Sequence, residues 1–206
     1  MLVNARESFR KVAVAKVNKK APTDLKVHEL IANRWSPRAF DSEAEISDED
    51  LILILEAARL APSAFNEQPW RYYIGRRGDE VFQQILSGLG EFNQTWAKHA
   101  GALLLACGTR QRANGDPHPS YQYDVGLSVS QASFEAHHLG YVTHQMTGFS
   151  HDAICKTFDL TTLDPVVVVA IGKQGDVEKL PEQMADREKA PSNRKSLSEV
   201  VIKGLI

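Results

Sequence analysis

Two short runs of apolar residues, 100–107 and 166–172, constrain the fold of this chain more than any other feature. The second run is mostly β-branched from Val166 to Ile171, which favours a strand. A strand that is apolar at every position must be covered on both faces, so both runs are predicted to be interior strands. Segments with helical spacing of apolar residues lie around them and predict an α/β or α+β layered structure.

The rest of the pattern predicts helices and two further strands around these runs. Ser47 precedes three acidic residues, so we expect its hydroxyl to cap a helix that ends near Ala61. Ser150 is expected to cap another helix, and no regular element is predicted after Gly172. The predicted helices cover residues 27–32, 48–61, 79–89, 94–99, 124–139 and 151–158, and the two strands cover 70–75 and 141–144.

Length and charge exclude several classes of protein. The 206 residues are 43% apolar and fit one domain of ordinary size. The net charge of -2 gives no overall attraction to nucleic acid or to an anionic membrane. Neither apolar run can cross a bilayer, and the N-terminus lacks the apolar core of a signal peptide. We therefore expect a cytoplasmic protein with no nucleic-acid or membrane partner.

The N-terminus is basic and differs in composition from the rest of the chain. Residues 1–20 contain six basic side chains and only one acidic side chain, Glu7. A basic arm of this kind can bind a nucleic acid or a membrane, but a solvated or partner-wrapping extension is the more common structure. The sequence therefore predicts an arm over residues 1–26 and a single domain over residues 27–206.

A stiff polar turn follows the helix that ends near Ala61. Pro62 and Pro69 restrict its backbone, while Ser63, Asn66 and Gln68 supply polar side chains. Such a loop can present hydrogen bonds at low entropic cost, which is useful in a binding site. An ordinary turn with two prolines explains the pattern equally well.

A second polar segment follows the first predicted helix. Arg34, Ser36 and Arg38 alternate, so in an extended backbone their side chains point to one side. Two guanidinium groups and a hydroxyl on one side make an anion site, because arginine offers a planar fork of donors that keeps its charge. Taken alone, the segment is also explained as a pair of surface arginines.

No residue pattern predicts a metal centre or a catalytic triad. Cys107 and Cys155 have no neighbouring ligands and are expected to be two buried thiols. The Gly-, Asn- and Pro-rich segment 108–120 is expected to be a loop, with the length of a lid or substrate-facing flap, and its His118 is expected to be solvated.

Three motifs, in this order and spacing, closely resemble those of the nitroreductase family of FMN-dependent oxidoreductases. The first is residues 34–40, Arg-Trp-Ser-Pro-Arg-Ala-Phe. The second joins Ala61-Pro62-Ser63 to the Asn-Glu-Gln-Pro-Trp of residues 66–70, and the third runs from Asp124 to Gly140. The resemblance covers roughly residues 27–202.

The resemblance implies an α+β fold in which helices surround a central mixed or antiparallel sheet. It also implies an intertwined homodimer with FMN bound between the subunits. NADH or NADPH would donate a hydride to the flavin, which would pass it to a nitroaromatic, a quinone or a related electrophile. The flavin then performs the chemistry, so no protein side chain is predicted to be catalytic.

Position by position, the resemblance assigns a set of side chains to the cofactor. Arg34 and Ser36, with Trp35 between them, would hold the phosphate and ribityl region, and Arg38 would lie near the pyrimidine edge of the flavin. The second motif would contact the flavin or ribityl chain, with Gln68 bracing its loop. The turn at residues 145–148 would present backbone amides, and Arg194 would return to the phosphate. The complete predicted set is Arg34, Trp35, Ser36, Arg38, Pro62, Ser63, Asn66, Gln68, Gln145, Met146, Thr147, Gly148 and Arg194.

Some positions depart from the family. Relatives often have a proline and an acidic residue in the turn at 145–147, and a second basic residue where this chain has Ser192, so Arg34 would carry more of the phosphate binding. The region 84–122 has no match that identifies an acceptor. The same flavin site also suits reductive dehalogenation, substrate dehydrogenation or flavin breakdown, and a non-catalytic flavin-scaffold protein is a further alternative.

Overall fold

The fold is a four-stranded antiparallel sheet covered by helices on both faces. The computed structural model describes Val17 and residues 19–204, so most of the predicted basic arm lies outside the described residues. The sheet has the order β1-β2-β4-β3, which places the two apolar strands in the centre. The strands are β1 Trp70–Arg76, β2 Ala102–Thr109, β3 Val142–Met146 and β4 Leu163–Gly172.

The helices lie close to the predicted segments. Ser47 and Ser150 cap their helices as predicted, with their hydroxyl oxygens accepting the backbone N–H groups of Asp50 and Ala153 at 3.1 and 3.3 Å. The helices are α1 Glu29–Asn33, α2 Asp48–Arg59, α3 Glu80–Gly88, α4 Glu91–Ala97, α5 Tyr121–His138, α6 His151–Thr157, α7 Glu182–Lys189 and α8 Leu197–Val200.

Each face of the sheet has its own hydrophobic core. The first lies under α2 and α5, where Ile54, Ala58 and Val125 pack against Leu104 of β2. The second lies under α3, α4 and α6, and includes Phe82, Ile85, Trp96, Leu103, Leu105 and Ile154. Alternate residues of β2 therefore enter opposite cores, which confirms that the strand is interior and covered on both faces. The antiparallel sheet with surrounding helices also confirms the predicted α+β fold.

The sequence prediction was wrong at several element boundaries. Strand β3 continues through Met146, so residues 145 and 146 belong to the strand and not to the predicted turn. Strand β4 begins at Leu163 and includes Pro165, opposite an irregularity in β2 at residues 106–107. Helix α4 starts three residues before the predicted segment, at Glu91.

Helices α7 and α8 were not predicted. Helix α7 buries only Met184, Ala185 and the acidic Glu188, so its sequence has almost no apolar periodicity. It forms because the rest of the protein offers a surface for those three residues. The helix carries the chain towards the cationic C-terminal segment that contains Arg194.

The start of the described chain packs against the domain. The Lys19 ammonium donates to the backbone carbonyl of Arg187 at 2.7 Å, and Ser192 donates to the carbonyl of Lys19 at 3.2 Å. The amide of Ala21 donates to the carbonyl of Ala32 at 2.7 Å. The division into residues 1–26 and 27–206 stays a prediction, although these contacts join residues 19–21 to the second part.

The two cysteines have different environments. Both are free, and Cys107 is fully buried in β2, where burial raises the pKa of its thiol to about 12. Cys155 is only partly buried, so the prediction of two buried thiols was wrong for this residue. Within residues 19–204, no helix combines the length and apolarity that a membrane crossing requires.

Candidate functional site

The segment at residues 34–38 leaves α1 as an extended chain and places two polar side chains together. The Arg34 backbone has φ -71° and ψ 127°, which is extended. Its guanidinium Nη1 donates to Ser36 Oγ at 3.3 Å, so these side chains lie on the same side, as predicted. Between them, Trp35 is half-buried, with the Lys19 ammonium 5.1 Å from the centre of its ring.

A second guanidinium group lies near Arg34. Burial lowers the pKa of Arg34, and the positive charge of Arg194 lowers it further. Among the described residues, neither arginine forms an ion pair with a carboxylate: Arg34 donates to Ser36 Oγ and Arg194 donates to the Asn193 carbonyl. Two cations held together without a counter-charge favour an anionic ligand. The structure therefore brings together three of the residues predicted to bind phosphate.

Arg38 lies beside this cluster with part of its hydrogen-bonding capacity unused. Its guanidinium Nη1 is 4.0 Å from a carboxylate oxygen of Glu188, and its centre is 5.8 Å from the ring centre of Phe92. Its Nε is buried and has no hydrogen-bond partner. A buried N–H group without an acceptor is costly, so this donor suits a ligand that brings one.

Strand β3 is fastened to the same segment by His144. Its Nδ1 lies 3.0 Å from the carbonyl oxygen of Pro37, and its ring centre is 4.5 Å from that of Trp96. Burial lowers the pKa of His144 to about 4, so the ring is neutral at physiological pH. Because a carbonyl only accepts hydrogen bonds, the proton is assigned to Nδ1. This contact joins the Arg34–Arg38 segment to the strand that leads into residues 145–148.

The side chains at the end of β3 point in different directions. Met146 is 3% exposed and belongs to the core, so its side chain is not part of an open site. Gln145 donates from Nε2 to Ser133 Oγ of α5 at 3.1 Å. Thr147 and Gly148 are exposed, and the Gly148 carbonyl accepts the Gly90 amide at 2.9 Å. Any ligand contact at Met146 would therefore be made by its backbone.

The loop after α2 has an unusual backbone conformation. Phe65, Asn66 and Gln68 have φ angles of 54°, 58° and 50°, in the left-handed region that most side chains avoid. Gln68 braces the loop as predicted, with its amide N–H donating to Ser63 Oγ and its Nε2 donating to the Asn66 carbonyl, each at 3.0 Å. Pro62 and Asn66 are exposed. Held, strained loops of this type are enriched at ligand sites.

The segment at 108–120 packs on this loop. The Arg112 guanidinium lies 4.8 Å from the ring centre of Phe65, and the Ala113 amide donates to Glu67 Oε2 at 3.3 Å. The prediction of a solvated His118 was wrong, because its side chain is only 1% exposed. Its Nε2 lies 3.6 Å from Asp124 Oδ2, and the same oxygen accepts the Ala64 amide at 3.2 Å. The segment 108–120 therefore helps to hold the loop in its conformation.

The two predicted halves of the site do not meet within one chain. The loop is tied to Asp124, near the start of α5, whereas Arg34 lies near its end, where the arginine charge adds to burial in lowering the pKa of His137. Asp124 and His137 are 13 positions apart, which is about 20 Å along a helix axis. Arg34, Ser36, Arg38, Arg194 and the end of β3 thus form one group, and Pro62, Ser63, Asn66 and Gln68 form another.

Four residues that hold these groups were missed by sequence reasoning. Glu188 and His144 support the cationic segment, Asp124 supports the loop, and Trp96 packs between Phe40 and His144. Asp124 is the first residue of the third family motif, but no local pattern marks the other three. Their contacts join positions that are far apart in the sequence.

Comparisons with known proteins identify the family that this chain resembles. A model of the nitroreductase family matches residues 31–87. A crystal structure described as an oxidoreductase containing FMN is 35% identical, with a TM-score of 0.83, over 90% of this chain and 95% of that one.

Among curated proteins, an oxygen-insensitive NADPH nitroreductase of Helicobacter pylori is 35% identical over 85 residues, which is 41% of this chain and 40% of that protein. The major NAD(P)H-flavin oxidoreductase of Aliivibrio fischeri is 30% identical over 109 residues, which is 52% of this chain and 46% of that protein. The chain thus spans less than half the length of these two relatives.

Proposed function

This chain belongs to the nitroreductase family of flavin oxidoreductases, and we propose that it binds FMN and uses NADH or NADPH to reduce a small electrophile. The proposed acceptor is a nitroaromatic, a quinone or a related compound. When bound, FMN would supply the hydride-transfer chemistry between the nicotinamide and the acceptor. The protein binds and orients the cofactor and sets the charge around it.

The observation that carries this proposal is the pair of arginines without a carboxylate partner. Arg34 is half-buried and close to Arg194, and the residues described around them supply no counter-charge. A phosphate monoester supplies a counter-charge and several acceptor oxygens that match the planar forks of both guanidinium groups. Ser36 Oγ, which already contacts Arg34, supplies a third polar group for this phosphate.

Arg38 is proposed to contact the pyrimidine edge of the flavin. The carbonyl and nitrogen acceptors along that edge suit the buried Nε that has no partner in the protein. A fixed positive charge there favours the reduced, more negative form of the cofactor and raises its two-electron potential. Arg38 would thus orient and tune the flavin without transferring a proton.

The second half of the site is proposed to come from a second copy of the chain. The loop that carries Asn66 is too far along α5 to reach the cofactor held by Arg34 of the same chain. Leu60 is 63% exposed and lines an apolar groove together with Leu30 and Phe134, and Ile31, the next residue after Leu30, is 56% exposed. This surface on α1, α2 and α5 suits a homodimer interface that brings the loop of one copy to the cationic segment of the other.

Mixed dimers provide a test of this shared site. We expect Arg34→Ala and Asn66→Asp each to lose FMN as homodimers. Aspartate tolerates the left-handed backbone of Asn66 and adds a charge that repels the anionic cofactor. A heterodimer of the two variants, isolated with two affinity tags, should regain one of its two sites, because one interface then contains both native residues. The measurement is bound FMN per dimer at a concentration tenfold above the wild-type Kd.

The control is a heterodimer in which one chain carries both substitutions. It should bind no FMN, because each of its two shared sites then contains one substituted residue. A site formed within one chain predicts the opposite pair of results: one FMN for this control, held by the wild-type chain, and none for the heterodimer of Arg34→Ala with Asn66→Asp.

The proposed reaction is tested by anaerobic titration of the purified protein. We expect a yellow protein whose flavin absorbance is bleached by one equivalent of NADH or NADPH per flavin. The absorbance should return when menadione or a nitroaromatic is added. A colourless protein that takes up no FMN would refute the proposed function. A yellow protein that neither nicotinamide bleaches would instead favour another use of the flavin, such as dehalogenation, substrate dehydrogenation, flavin breakdown or simple binding.

A further inference from the structure

Glu188 is a buried carboxylate outside the set of residues proposed to contact FMN. It lies on α7, and its side chain is only 1% exposed. Acidic side chains are rarely buried to this extent unless they are paired or hydrogen-bonded. The contacts of Glu188 therefore indicate what keeps it in the interior.

Both carboxylate oxygens of Glu188 bind the same stretch of backbone. Oε1 accepts the N–H of Arg38 in a short hydrogen bond, and Oε2 accepts the N–H of Ala39 at 3.4 Å. Arg38 and Glu188 are 150 positions apart in the sequence. The side chain thus fastens α7 to the segment that carries Arg34 and Arg38.

The Arg38 guanidinium interacts with the same carboxylate more weakly than the Arg38 backbone does. Its Nη1 lies 4.0 Å from Oε1, at the limit of an ion pair, and its Nε has no partner. Glu188 therefore holds the main chain of Arg38 firmly while leaving guanidinium donors unused. Its negative charge also offsets part of the positive charge that Arg38 presents.

Both hydrogen bonds to Glu188 come from backbone N–H groups, which an ionised carboxylate accepts. Burial raises the pKa of Glu188, and the two backbone hydrogen bonds and the positive charges of Arg38 and Lys19 only partly oppose this rise. The Lys19 ammonium is itself held nearby, on the carbonyl of Arg187. Without the negative charge of Glu188, the positive charges of Arg38 and Lys19 would be less neutralised.

We propose that Glu188 is a positioning residue for the flavin: it fixes the backbone of Arg38 and balances the charge of its guanidinium, and so sets both the affinity for FMN and its potential. This inference rests on the proposed function. Helix α7 also leads to Arg194, six positions after Glu188, so the same contact holds both cationic segments together. Glu188 acts through Arg38 and is not expected to touch the substrate.

Two substitutions separate the contributions of its charge and its hydrogen bonds. Glu188→Gln has nearly the same shape and keeps one acceptor oxygen, but it removes the charge. Glu188→Ala removes both acceptors. Glu178→Gln is the matched control, because Glu178 is 69% exposed and pairs with Lys189 at 2.6 Å on the outer surface. Far-UV circular dichroism checks that each variant is folded.

The first measurement is hydrogen exchange in the FMN-free protein, on peptides that span residues 35–40. We expect Glu188→Ala to speed exchange of the Arg38 and Ala39 amides at least about tenfold, with Glu188→Gln between it and the wild type. Unchanged exchange in Glu188→Ala would overturn the proposal. Because no cofactor is needed, this result does not depend on the proposed function.

The second measurement follows FMN itself. We expect Glu188→Ala to weaken FMN binding about tenfold or more, and Glu188→Gln to raise the two-electron potential, because Arg38 is then less neutralised. Faster amide exchange with unchanged FMN affinity and potential would mean a purely structural role and would overturn the proposal. A wild-type protein that binds no FMN would refute the proposed function instead, which is a distinct result.

Discussion

Replacing Arg34 with alanine should weaken FMN binding by about 100-fold. A charge-assisted hydrogen bond contributes about 1.5–3 kcal/mol, and a fork of two such bonds to phosphate would account for a loss of this size. Flavin fluorescence, which is quenched on binding, measures the dissociation constant. The substitution also relieves the repulsion between Arg34 and Arg194, so the FMN-free protein should not lose stability. Its Tm should stay the same or rise slightly.

The combination of weaker binding and unchanged stability distinguishes a ligand site from a structural arginine. Arg76→Ala is a suitable control, because Arg76 pairs with Asp48 and lies on β1, at the opposite edge of the sheet from β3. Its FMN affinity should stay within about twofold of the wild type. Arg34→Lys keeps the charge without the planar fork, so its affinity for FMN should lie between those of Arg34→Ala and the wild type. Equal affinities of Arg34→Ala and Arg76→Ala would contradict the proposed phosphate site.

Replacing Trp96 with alanine should lower the free energy of unfolding by about 3–5 kcal/mol, as expected for a fully buried aromatic residue. Trp96 is 1% exposed. Its ring centre lies 6.1 Å from that of Phe40, on which it stacks, and 4.5 Å from that of His144. The cavity would therefore lie beneath the Arg34–Phe40 segment and β3 together. We expect the affinity for FMN to fall together with the stability, because the Arg34–Phe40 segment and β3, which position the proposed phosphate site, would both be held less firmly.

Urea unfolding followed by circular dichroism measures this change, at a fixed protein concentration because the stability of the proposed dimer would depend on concentration. Trp96→Phe is the matched variant. It keeps an aromatic ring and removes an indole N–H that has no partner in the interior, so it should lose less than half as much stability. If Trp96→Ala were as stable as the wild type, the residue would not support this part of the fold.

Taken together, these contacts describe a site that is supported from several directions. Glu188 holds the backbone of Arg38, His144 holds the carbonyl of Pro37, and Trp96 fills the space beneath them. The loop with Asn66 is held by Ser63 and Gln68 on one side and by Asp124 on the other. Binding groups held in advance lose little conformational freedom when the ligand binds.

The sequence was most informative where structure depends on neighbouring residues. Continuous apolar runs identified β2 and β4, and the hydroxyl of Ser47 identified the start of α2, because burial on both faces and helix capping leave local patterns. The alternation of Arg34 and Ser36 correctly placed their side chains together. The proline-bounded loop was also located correctly, although its three left-handed residues were not foreseen.

The tertiary structure decided which of these local pieces meet. His118 looked like a solvated loop residue but is buried against Asp124, and Glu188 looked like one of many charges in a polar tail but reaches Arg38 across 150 positions. Helix α5 places the loop near one of its ends and the cationic segment near the other. A local pattern records how a residue sits in its own helix, strand or turn, whereas contacts between distant segments depend on how the elements pack. For that reason the sequence by itself predicted a set of site residues and the order of the elements from α1 to β4, and only the fold separated those residues into two groups.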